Sequence, residues 1–71
     1  MEFNPEKIRT LRVSKHHSLG TVVRLLESRC SFKASRSTIS YWERGKAQPP
    51  IKALVAICRL YNVDPNYFFS E

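Results

Sequence analysis

Apolar residues recur at helical spacing in four stretches of the chain, and in no segment of four or more do they alternate with polar ones between turn signals. The first stretch carries Ile8 and Leu11, with Arg12 beside them. Asn4-Pro5-Glu6 opens it as a helix opens: Asn4 can cap, Pro5 fits the first helical position, and Glu6 meets the positive end of the dipole. Phe3 is available as a staple outside the cap, and the helix is expected to fade between Ser14 and His17. The second stretch follows Ser18, a cap, and its stripe is Val22, Val23, Leu26 and Cys30. Gly20 weakens its first turn, and Thr21 stands where a capping box would place Glu or Gln, so no box is expected. The third runs from Arg36 to Arg44 between a Ser35 cap and a Gly45 stop. Only Ile39 and Trp42 form its apolar strip, while Arg36, Ser37, Ser40, Tyr41 and Arg44 occupy the rest. Such a helix is a poor core element and suits a reading surface.

Gln48-Pro49-Pro50 breaks the chain and launches the fourth helix, expected over residues 51–61. Its buried stripe reads as Ile51, Leu54, Val55, Cys58 and Tyr61, the strongest periodic signal in the sequence. Asn62 ends it. Asp64-Pro65 then caps and begins a last turn bearing Tyr67, Phe68 and Phe69. The expected architecture is all-α, a compact bundle of about five short helices with no sheet, formed by residues 1–71 as one domain.

Seventy-one residues allow one small core and no separate substrate and cofactor lobes, which argues against an enzyme. Charge changes the picture more than length does. The net charge is +6, with 12 Lys and Arg against 6 Asp and Glu. Eleven of those cations fall in residues 7–52 against only Glu27 and Glu43, giving that segment +9. The remainder is slightly acidic. A basic excess so confined points to a polyanionic partner. No apolar run approaches the roughly 18 residues of a membrane span, and Met1-Glu2-Phe3-Asn4 carries no export signal, so no membrane association and a cytoplasmic, nucleoid-associated setting are expected.

Candidate chemistry beyond that is sparse. Cys30 and Cys58 lie in no metal-ligand spacing and read as reduced thiols, Cys58 as a small buried hydrophobe. His16-His17 has no further ligands spaced to help it, so no metal or cofactor is expected. No Gly-rich phosphate loop exists, no motif activates any serine, and no pocket for a small-molecule substrate is implied.

The chain resembles the Cro/repressor-type helix-turn-helix family, the Xre-like and lambda-repressor-like domains. The resemblance rests on Ile8-x-x-Leu11-Arg12, on Ser35-Arg36-Ser37-Thr38-Ile39-Ser40-Tyr41-Trp42-Glu43-Arg44-Gly45-Lys46, and on Pro49, Leu54-Val55, Asn62-Val63 and Phe68. It implies a sequence-specific, double-stranded DNA-binding transcriptional regulator, a repressor of phage, mobile-element or bacterial origin, with the third helix in the major groove. By that resemblance Arg36, Ser37, Ser40 and Tyr41 contact bases. Arg36 can address guanine O6 and N7 bidentately, and Tyr41 can reach a base edge or a thymine methyl. Ser18, Leu19, Thr38, Arg44, Lys46 and Lys33 are the phosphate candidates. Arg12 and Glu43 are expected as a structural salt bridge. Two half-sites imply a near-palindromic operator and a homodimer, at least on DNA, for which Tyr67, Phe68 and Phe69 are the candidate surface. The alternative is a protein-interaction module on the same fold, an anti-repressor or antitoxin-like partner.

Two departures from the family pattern stand out. Leu19 occupies the position after the cap where Gln commonly buttresses the reading helix. The link between the second and third helices, residues 27–34, exceeds the usual tight turn by about six residues and lacks its Gly. The Leu26/Cys30 spacing suggests that the second helix runs on to about Cys30, over residues 18–30, with Phe32 folded back as an anchor. Arg29 and Lys33 would then project near the DNA backbone.

Overall fold

A computed structural model describes residues 2–70. Four α-helices, α1 (Glu6–Ser14), α2 (Leu19–Cys30), α3 (Arg36–Glu43) and α4 (Ile51–Tyr61), are followed by a single 3-10 turn over Pro65–Phe68. Two short strands, β1 (Glu2–Phe3) and β2 (Phe69–Ser70), pair antiparallel with Phe3 opposite Phe69. The bundle is all-helical apart from that clasp. No alternating pattern foretold the strands. They form because the closing turn brings Phe69 back beside Phe3, and Asn4 N–H donates to the Phe68 carbonyl at 2.6 Å.

Helix openings follow the sequence closely. Ser18 Oγ accepts the Thr21 N–H at 3.1 Å and shares a hydrogen bond with Thr21 Oγ1 at 2.9 Å. Ser35 repeats both contacts with Thr38, at 3.1 Å and 2.9 Å. So Thr21, which spoils the Glu/Gln capping box, still meets the cap with its own hydroxyl. α1 begins one residue later than expected: Pro5 is the cap residue, and the Asn4 carbonyl accepts the Lys7 N–H. Asp64 Oδ1 accepts the Asn66 N–H at 2.8 Å and opens the 3-10 turn.

Helix ends use αL residues, and glycine supplies none of the first, second and last. His16, Ser31 and Asn62 have φ of 58°, 52° and 56° after α1, α2 and α4. The left-handed turn lets both Ser31 and Phe32 N–H groups return to the Leu26 carbonyl. Helix α2 thus does run on to Cys30, and the αL turn swings half-buried Phe32 against Trp42, ring centroids 6.4 Å apart. Only after α3 does glycine take the role, Gly45 at φ 73°.

The core gathers Ile8 and Leu11 from α1, Val22 and Leu26 from α2, Ile39 and Trp42 from α3, and Phe68 from the closing turn. Helix α4 meets them with Ala53, Ala56, Ile57, Cys58 and Tyr61. Of the expected stripe, Cys58 and Tyr61 are buried and Leu54 packs against the core, but Ile51 is 75% exposed and Val55 40%. Helix α4 is apolar over most of its circumference, so periodicity alone cannot choose its inner face. Ala53 and Ala56 lie on the inner side, where the Ala56 carbonyl accepts from the Cys30 thiol of α2 at 3.4 Å, and small side chains suit such a close approach of two helices. Ile51 and Val55 face outward, beside Cys30 and Phe32.

Candidate nucleic-acid interface

With Ile39 and Trp42 buried, α3 presents its other side outward, and its Ser35 cap fixes where that side begins. Arg36, Ser37, Ser40, Tyr41 and Arg44 line a surface cleft of about 270 Å³, closed on its far wall by Leu19 at the start of α2. All four base-contact candidates therefore share one surface. Tyr41 and Arg36 are exposed, and Ser40 is half-buried between them. The Arg44 guanidinium lies over the Tyr41 ring, 5.2 Å from its centroid, and Arg44 Nε reaches the Ser40 carbonyl at 3.4 Å. This cation–π pair was not foreseen in the sequence, although the three-residue spacing on one helix was a readable signal for it.

Phosphate candidates are more scattered. Leu19 and Arg44 lie in the cleft. Ser18 and Thr38 spend their hydroxyls on the two helix caps. The caps serve Thr21 and Thr38, so the preceding N–H groups, on Leu19 and Gly20 and on Arg36 and Ser37, are the donors that each opening presents outward. Lys46 is exposed past the end of α3, its own N–H returned to the Tyr41 carbonyl at 2.9 Å. Lys33 stands apart from the cleft, in a loose exposed pair with Glu27 at 3.8 Å.

Behind the reading face, Arg12 grips Glu43 through two nitrogens: Nε to Oε2 at 2.7 Å and Nη2 to Oε1 at 3.1 Å. The third guanidinium nitrogen donates to the His17 carbonyl at 3.0 Å, so one side chain joins α1, α3 and the turn into α2. Hydrogen bonding to Glu43 raises the Arg12 pKa above its ordinary value, overcoming the opposing effect of burial. Glu43 thus sits in a basic segment paired with Arg12 and outside the cleft. Nearby, burial raises the Tyr61 pKa, and its hydroxyl meets His17 Nδ1 at 3.0 Å.

Residues 34–68 match the family described as helix-turn-helix. The chain carries a DNA-binding helix-turn-helix domain of the Cro/repressor type. No curated protein and no solved structure matches it. The matched span begins just before the Ser35 cap and closes on Phe68, so it covers α3, α4 and the last turn. That family is one of DNA-binding regulators and is not an enzyme family.

At the aromatic end of the helix-turn-helix domain, one of the three candidates for a surface between copies lies in the core. Phe68 is 0% exposed and closes the core. Tyr67 and Phe69 are half-buried, Tyr67 under the Lys7 ammonium at 5.0 Å and Phe69 edge-on to Phe3 at 5.8 Å. Phe68 is withdrawn from any contact between copies because the bundle needs it as a lid. Among the described residues no helix is long and apolar enough to cross a membrane, and no three His, Cys, Asp or Glu side chains gather to hold a metal ion.

Proposed function

We infer that the protein is a sequence-specific transcriptional regulator, a repressor of phage, mobile-element or bacterial origin, which lays α3 in the major groove of its operator. The observation that carries this reading is the shared cleft of Arg36, Ser37, Ser40, Tyr41 and Arg44, backed by the buried strip Ile39/Trp42. A major groove admits a helix whose outward residues are long or polar, and those at its N-terminal end meet base edges. Arg36 stands in that position with its guanidinium free to fork onto guanine, and Ser37, Ser40 and Tyr41 extend the readout along the helix. Arg44, Lys46, Thr38 and Lys33, with Ser18 and the backbone of Leu19, bind phosphates and set the register.

Operators of two near-palindromic half-sites fit this reading, bound by a homodimer formed at least on DNA. Tyr67 and Phe69 are available to it, as are Ile51 and Val55 on α4, which are the more exposed. The setting is a cytoplasm, at the nucleoid.

Selection from a random duplex pool tests the reading. The expected result is an enriched motif with two related halves about one helical turn apart, bound at moderate salt. A folded protein that enriches no motif would overturn it in favour of a protein-interaction module.

A further inference from the structure

Gly20 is the second residue of α2, and its backbone is helical without the positive φ that only Gly45 requires among the two glycines. Any L-residue fits that conformation, and a helical glycine costs stability against alanine. Its advantage is therefore space. A Cβ at Gly20 would stand 3.2 Å from Arg36 Nε, 3.2 Å from Nη2 and 3.4 Å from Cζ. The guanidinium thus stands across from Gly20 at the α2 opening, close enough that any side chain there would touch it. Arg36 makes no hydrogen bond and no ion pair among the described residues, so its donors are unspent while it lies over the space that Gly20 leaves open.

We propose that Gly20 is a positioning residue for base recognition: it provides the seat that aims the Arg36 fork, in place of a polar buttress that Leu19 cannot supply. Two further features support the assignment. The seat follows Leu19 in the chain and faces Arg36, both of which line the cleft, so a side chain there would press on a residue of that surface. The positive end of the α2 dipole offers a guanidinium no attraction, so nothing at the seat competes with an acceptor for the Arg36 donors. Filling the seat would push the guanidinium outward by a few tenths of an ångström for alanine and displace it for leucine. A bidentate contact tolerates little of either. The proposal rests on the reading of α3 as the recognition helix.

The test compares wild type, Gly20→Ala, Gly20→Leu and Arg36→Ala on the selected operator, on operators changed one base pair at a time, and on random duplex. Arg36→Ala identifies the base pair that Arg36 reads. At that pair discrimination is expected to fall about threefold in Gly20→Ala and about tenfold or more in Gly20→Leu, within the range one bidentate contact supplies. Discrimination at other pairs and affinity for random DNA should hold, and Gly20→Ala should melt no lower than wild type, a combination that general damage to the fold would not give. Adding Gly20→Leu to Arg36→Ala should relax that pair no further. If Arg36→Ala relaxes one pair while Gly20→Ala and Gly20→Leu both keep it, the Gly20 assignment is overturned and the reading of α3 stands. If Arg36→Ala leaves every pair discriminated as before, the reading of α3 fails and the role of Gly20 with it.

Discussion

Replacing Glu43 by alanine removes the carboxylate that receives two Arg12 nitrogens, at 2.7 and 3.1 Å, and leaves the guanidinium only the His17 carbonyl. The side chains of the pair are 14% exposed for Arg12 and 6% for Glu43. Breaking a fully buried pair by deleting one partner costs about 3–5 kcal/mol, because the surviving charge has lost its compensation. Arg12 keeps some water and one carbonyl, which brings the expected loss to about 2–3 kcal/mol. A domain of 71 residues has about 4–11 kcal/mol in total, so the loss takes a substantial share of the stability and leaves about 1–9 kcal/mol. Melting should fall by roughly 8–24 °C. Urea unfolding followed by far-UV circular dichroism measures the loss directly, with an unchanged slope expected. Arg12→Met with Glu43→Leu should recover at least half of it, since matched apolar groups abolish the stranded charge. Below its melting point Glu43→Ala should keep the parent's base preference. A variant within about 0.5 kcal/mol of the parent, or one that melts normally yet no longer binds DNA, would refute the structural role assigned to the pair.

Three other outcomes follow from the same structure. Lys46→Ala should weaken binding to operator and random duplex alike and flatten the plot of log affinity against log salt by about one unit, as expected for one lost phosphate contact; an unchanged slope removes Lys46 from that list. Ser31→Gly should stabilise by about 1 kcal/mol, because Ser31 holds an αL conformation at φ 52° that glycine enters freely; a lower melting temperature would mean that the Ser31 side chain contributes more than its backbone costs. Burial raises the pKa of Cys58 above its ordinary 9.0 and that of Tyr61 above 10.0, so the unfolded chain releases both protons first and stability should decline as pH rises through 9 and 10. Cys58→Ala with Tyr61→Phe should flatten that alkaline decline; a decline of undiminished steepness would assign it to other groups.

Where the chain gave local chemistry, the fold could be read. Ser18 and Ser35 cap as their types suggest, Asn62 takes the αL exit, and the narrow Ile39/Trp42 strip set α3 apart as a surface helix before any coordinates. What escaped depends on which partner lies opposite. Helix α4 buries Ala53, Ala56 and Ile57 beside the expected Cys58 and Tyr61 and leaves the larger Ile51 and Val55 outside, a choice that apolar spacing does not determine. The β1–β2 clasp joins the two ends of the chain through backbone groups, which leave no trace in side-chain pattern. At the candidate interface, the residue types of α3 marked out the outward face that lines the cleft, but the nearness of Arg36 to Gly20 did not show: a glycine in a first turn looks only like a weak helix start until the side chain across from it is placed.

The central claim is that α3 reads bases directly, and Arg36 bears most of it. Affinities of wild type and Arg36→Ala, measured side by side on the selected operator and on random duplex at one salt concentration, test it most directly. The account predicts a loss of about 1–3 kcal/mol on the operator, a smaller one on random DNA, and relaxed preference at a single base pair in each half-site. Equal losses on both duplexes, with every base preference intact, would make Arg36 a phosphate contact and contradict the account.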